Sequence, residues 1–123
     1  MKHLLLVFLG GGLGSGLRFL IGKYLNPVIS GFYLGTFLAN VIGCLLIGMV
    51  LGVSLRNQYV NPVQSALLAS GFCGGFTTFS SFSLEQFGLL RDGNYLPFLF
   101  YTLGSLVVGL LAVALGFWLS RWF

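Results

Sequence analysis

Gly71-Phe72-Cys73-Gly74-Gly75-Phe76-Thr77-Thr78-Phe79-Ser80-Ser81-Phe82-Ser83-Leu84-Glu85 lies inside an apolar stretch that runs from Val63 to Leu90. Adjacent glycines are poor helix formers, and the β-branched Thr77-Thr78 pair adds little. A helix broken within a bilayer frees amides and carbonyls in hydrocarbon. That is tolerated only where they are buried in protein, line an aqueous path or hold an ion. The expectation is a third helix broken at mid-membrane, an arrangement that usually marks an ion site; the competing description is an unbroken helix with a Gly-rich packing contact. Beyond the glycines, Phe76, Phe79 and Phe82 recur every three residues and share a helical face. Aromatic edges are positive and suit an anion, and the interleaved Ser80, Ser81 and Ser83 supply hydroxyl donors.

The surrounding composition fixes the solvent. Of 123 residues, 57% are hydrophobic and 7% charged, whereas a soluble domain carries about a quarter charged residues. Lipid must cover most of this chain. A bilayer core about 30 Å thick needs about 20 apolar residues per helix, and four stretches qualify: 4–25, 32–55, 63–90 and 96–122. Turn residues separate them at Asn26-Pro27…Ser30-Gly31, Arg56-Asn57-Gln58…Asn61-Pro62 and Arg91-Asp92-Gly93-Asn94. The reading is an all-α membrane protein, one four-helix transmembrane domain over residues 1–123, multi-pass in the cell (inner or plasma) membrane. The first apolar run is read as a span and not a cleaved signal, because it carries Arg18 and Lys23 and lacks a small-residue cleavage pattern.

Other classes fall away. The six Lys/Arg are scattered singly, which argues against nucleic acid as a partner. There is no phosphate-binding loop for a nucleotide, and no pair of carboxylates in one span for catalysis. Gly10-Gly11-Gly12-Leu13-Gly14-Ser15-Gly16 lacks dinucleotide spacing and follows no strand. Gly10/Gly14 and Gly12/Gly16 read instead as small-xxx-small packing pairs, repeated at Gly31/Gly35, Gly48/Gly52 and Gly71/Gly75. So much small surface argues for an oligomer. Cys44 and Cys73 are in no metal spacing with His3 or each other and read as small packing residues.

Four spans put both termini on one side, with Lys2, Arg56 and Arg121. The other side holds Lys23 and Arg91, with Arg18 some two turns inside. This balance gives the positive-inside rule almost nothing to act on. Insertion in both orientations and pairing as an antiparallel (dual-topology) homodimer follows as an expectation. Within the spans, Asn40 is an amide that needs a partner in hydrocarbon, as helix glue or as part of a polar path. Arg18 either snorkels to the interface or concentrates anions in a vestibule. Tyr101 and Ser105 are four apart and face together. Glu85 reads as an interfacial or hydrogen-bonding residue before a proton relay.

The run Gly71–Glu85, with Asn40, Arg18 and four spans in so short a chain, resembles the Fluc (CrcB) fluoride channels over essentially the whole length. The resemblance implies a dual-topology homodimer with two antiparallel pores that passively export fluoride from the cytoplasm. It implies a structural Na⁺ on the dimer axis, held by the backbone carbonyls of Gly74 and Thr77. It also implies a fluoride path lined by Asn40, Phe79, Ser81, Phe82, Tyr101 and Ser105, with Arg18 in the vestibule. Two departures stand out: position 81 is Ser where Thr is common, and the fourth helix has no hydroxyl beyond Ser105 until its far end. The alternative is a small proton-coupled multidrug exporter of dual topology, although the carboxylate expected in its first helix is missing; a non-conducting accessory protein leaves the Phe/Ser string unexplained.

Overall fold

The computed structural model describes residues 1–56 and 61–123; the expected turn residues Asn57 and Gln58 lie outside them. Three unbroken helices form: α1 (Lys2–Leu25), α2 (Leu34–Arg56) and α6 (Tyr95–Leu119), the last continued by a 3₁₀ turn at Ser120–Trp122. Each is long and apolar enough to cross a membrane. Between α2 and α6 the third expected span is built in pieces. These are α3 (Pro62–Ser65), a π-helical stretch (Ala66–Cys73), α4 (Gly74–Phe76), three non-helical residues at 77–79, and α5 (Ser80–Arg91). Among the described residues the architecture is all-helical: three continuous apolar helices and, third in order, one broken helix.

Local chemistry sets the element ends. Asn61 caps α3, its side-chain Oδ1 accepting from Val63 N at 3.2 Å, with Pro62 in the first helical position, where its missing N–H costs nothing. Gly31 and Gly93 take φ of 77° and 76° in the two turns, a conformation other residues rarely adopt. Asn26 ties the first turn to α2, accepting from Thr36 N at 3.0 Å and donating to Thr36 Oγ1 at 3.4 Å.

Packing follows the glycines. A methyl group on Gly10 would sit 2.7 Å from Leu67 O, and one on Gly14 would meet Phe72 O and lie 2.7 Å from Phe76 N. The α1 backbone therefore rests directly on the π-helical stretch and α4. As α1 advances from Gly10 to Gly14, its contacts advance from 67 towards 76, so the two segments run parallel. On the other side, Gly48 faces Val113 and Phe117, Gly52 faces Phe117 and Ser120, and Gly116 faces Leu45 and Met49, so α2 and α6 are also parallel. Alternate helices run in the same direction, as four successive crossings require.

Two expectations are revised. The break does not fall at the glycine pair: Gly74 lies in right-handed helical geometry and Gly75 within α4, and the chain leaves the helix at Thr77, whose ψ is 160°. These glycines are there for closeness, since a methyl on Gly75 would strike the Gly11 backbone. Nor is most of the small surface free for oligomerisation. Gly10, Gly14, Gly48, Gly52, Gly71 and Gly75 are consumed within the protomer and Gly31 lies in a turn, whereas Gly12 and Gly16 face away from it. Gly14→Val is accordingly expected to lower the detergent-solubilised melting temperature, costing about 1–3 kcal/mol through overpacking against rigid backbone. Gly88→Val, where an added carbon meets no described residue beyond its own helical turn within 4 Å, is expected to melt as the parent does.

Candidate functional site

The break exposes a run of backbone groups, and several have an identifiable partner. In a continuous helix Thr78 N would donate to the Gly74 carbonyl. Here it donates to Asn40 Oδ1 at 2.8 Å, and Asn40 Nδ2 returns the bond to Thr78 O at 3.1 Å. One amide side chain on α2 thus replaces both backbone partners of Thr78. Ser81 N, which would have served the Thr77 carbonyl, donates to Thr78 Oγ1 at 3.2 Å. Thr77 Oγ1 folds back onto Cys73 O at 2.8 Å. From α1, Ser15 Oγ (3.3 Å) and Arg18 Nε (3.1 Å) both donate to Gly75 O. Arg18 is therefore tethered to the break rather than simply extended towards the interface.

Two cavities flank this crossing. The first, about 450 Å³, is lined by Asn40, Phe79, Phe82 and Ser105 together with Gly74, Thr77 and Thr78. Its wall is mostly aromatic and aliphatic, relieved by one amide and a few hydroxyls. The Ser105 hydroxyl is buried and has no hydrogen-bond partner among the described residues. Phe82 is 9% exposed and packs on Tyr101 at 5.0 Å between ring centroids, while Phe79 is 79% exposed and stands out from the protomer. The second cavity, about 360 Å³, is polar: Arg18, Lys23, Asn26, Thr36, Thr78, Ser81 and Glu85 line it. It has two cations and one carboxylate, and Thr78 belongs to both cavities.

Of the residues singled out from sequence, Asn40, Phe79, Phe82 and Ser105 come together with Gly74 and Thr77 at the first cavity. Ser81 and Arg18 lie at the second. Tyr101 lines neither; it is fully buried, and its hydroxyl donates to Glu85 Oε2 at 2.5 Å. Glu85 Oε1 accepts from Thr36 Oγ1 at 2.7 Å. Glu85 is thus a hydrogen-bonding residue with both oxygens engaged, held between α2 and α6. Sequence reasoning missed the part played by Thr78, Ser15, Thr36 and Lys23. The one available signal was Thr36 four residues before Asn40, which places a hydroxyl and an amide on one face of α2.

A family model described as CrcB-like protein, Camphor Resistance (CrcB), matches residues 5–117. The chain belongs to the CrcB family. Curated CrcB relatives match along nearly their whole length. A fluoride-specific ion channel FluC of Gloeothece citriformis is 48% identical over 98% of each chain. The protein of the same name from Phocaeicola vulgatus is 46% identical over 98% of this chain and all of the relative. That of Azobacteroides pseudotrichonymphae is 43% identical over 100% of this chain and 99% of its own.

In this CrcB chain the Asn40 pairing yields a direct test. Asn40→Ala leaves two Thr78 backbone groups without their partner, at about 1–3 kcal/mol for each one that stays buried and unsatisfied. A thermal melt in detergent is expected to fall well below that of the parent, and an unchanged melt would show that the amide does not hold the break.

Proposed function

We propose that this chain is the subunit of a fluoride-selective channel that passively exports fluoride from the cytoplasm, working as an antiparallel homodimer. The observation that carries the reading is the first cavity. Phe79, Phe82, the Asn40 amide and the unpartnered Ser105 hydroxyl converge there beside a broken membrane helix. Fluoride is small and holds its water tightly, so selecting it needs a narrow path with several weak donors to replace hydration. Ring edges, an amide and hydroxyls meet that need without the deep well that an ammonium group would create. The relatives' name is that of an ion channel, and the chain is read as a conduit and not an enzyme.

Pairing with a second copy is supported by the balanced charges of the two sides, by the outward Gly12 and Gly16, and by Phe79, an aromatic ring left standing outside the protomer. The Gly74 and Thr77 carbonyls fit a sodium ion: the amides that would occupy them in a helix, Thr78 N and Ser81 N, are engaged elsewhere. Carbonyl oxygens are suitable ligands for a dehydrated alkali cation. Na⁺ held there would supply a fixed positive charge at the meeting point of two broken helices. Arg18 and Lys23 raise the anion concentration in the second cavity, while Ser81 also lines it and offers a hydroxyl. Tyr101 contributes by fixing Glu85 and by backing Phe82. The multidrug-exporter reading finds no support among the relatives, and α1 holds no carboxylate.

Purified protein in liposomes, with a potassium gradient and valinomycin, tests the proposal through fluoride efflux. Rapid fluoride efflux with little chloride efflux is expected; no fluoride current, or equal chloride current, would reject it. Phe82→Ile is expected to cut fluoride efflux at least tenfold while the protein elutes at the parent's size.

A further inference from the structure

Two side chains at the first cavity remain without a task in anion passage. Cys44 on α2 and Cys73 at the end of the π-helical stretch are both free thiols that line it. Their elements are placed by the break itself. Asn40 is bonded to Thr78, and one turn along α2 a methyl on Gly43 would strike Thr77 Cγ2. As α2 advances from 40 to 44, its neighbours step back from Thr78 through Thr77 towards Cys73, because the two segments run in opposite directions. Thr77 N and Oγ1 both bond Cys73 O, which fixes Cys73 one turn below Thr77. Cys44 Sγ also approaches α6, lying 3.6 Å from where a methyl on Gly109 would be. Both thiols line the same cavity, each within about one turn of the contact of Gly43 with Thr77.

We propose that Cys44 and Cys73 form a two-thiol site for a soft, thiophilic metal ion such as Hg(II), Ag(I) or Cu(I), and that an ion there blocks the cavity. Soft thiolate ligands select such ions, which accept two-coordinate binding. On binding, each S–H bond is replaced by an S–metal bond; two protons pass to water and the metal keeps its oxidation state. The site shares its walls with Asn40, Phe82 and Ser105, so a bound cation would narrow the passage and place a polarising centre beside it. The blockade rests on the channel reading; the binding does not.

Mercuric chloride and the reconstituted protein test both parts. Elemental analysis after washing with excess 2-mercaptoethanol is expected to find one mercury per chain. Maleimide labelling of the denatured protein should then find both thiols protected. Cys44→Ala and Cys73→Ala should each retain at least tenfold less metal under the same wash, since a single thiol loses the competition. Two mercury ions per chain, or single variants that retain metal as the parent does, would overturn the two-thiol site. With the site filled, fluoride efflux is expected to fall at least tenfold, normalised to each protein's own untreated rate, and to recover with dithiothreitol. Unchanged efflux with mercury bound would overturn the blockade. Absence of efflux before mercury is added would count against the channel reading and leave the metal count to decide the site.

Discussion

The reciprocal pair between the Asn40 amide and the backbone of Thr78 is the contact on which the rest depends. A break in a membrane helix strands polar groups where water cannot reach them, and each costs free energy unless it finds a partner. An asparagine amide is the smallest side chain that offers one donor and one acceptor in nearly the spacing of a peptide group. Here it donates to Thr78 O and accepts from Thr78 N. It repairs the backbone of one residue completely and leaves the carbonyls of Gly74 and Thr77 without their usual helical donors. The same bonds fix the depth of the break against α2, and with it the position of Phe79 and Phe82.

Short side chains can do this only if the helices are close. Ser15 has a single carbon between its backbone and its hydroxyl, yet it reaches Gly75 O at 3.3 Å. That distance requires the α1 backbone to lie on α4, which Gly11 and Gly14 on one side and Gly75 on the other make possible. Small residues allow such approach in membranes, where no hydrophobic force drives helices together and van der Waals contact must serve. The opposite pair, α2 on α6, uses Gly48, Gly52 and Gly116 in the same way. The break is held from two sides, by α1 running parallel to it and by α2 running antiparallel. Its polar contacts and its glycine contacts are therefore one construction.

Much of this was legible in the sequence. Three of the four apolar stretches coincide with helices long and apolar enough to cross a membrane, because bilayer thickness sets the length such a helix needs. Asn40 stood out because an amide in hydrocarbon needs a partner. The position of the break did not follow, because helix propensities reflect chains without close neighbours. Gly74 and Gly75 are poor helix formers in isolation but stay helical beside Gly11, and the extended residue is Thr77. The division of the site was also hidden. Ser81 and Phe82 are adjacent in sequence, yet one faces the polar cavity and the other the aromatic one. Only packing decides which face of α5 meets which neighbour. The Thr36–Glu85–Tyr101 chain draws on three elements, and no local spacing announces it.

That division bears on how a conduit for a small anion can be selective and still conduct. In the proposed channel, attraction and dehydration are separate demands. A full positive charge beside a dry passage would hold a small anion too tightly to release it, since Coulomb energies grow steeply as the local dielectric falls. Arg18 and Lys23 line only the polar cavity, which Glu85 also lines, and Arg18 already has its Nε committed to Gly75 O. The aromatic cavity presents no ionised side chain among its lining residues, only ring edges, an amide and hydroxyls. Thr78 is the wall common to both. Its backbone is locked by Asn40 and its hydroxyl accepts from Ser81 N, so the partition between the charged mouth and the dipolar interior is held in place by the same residues that mend the break.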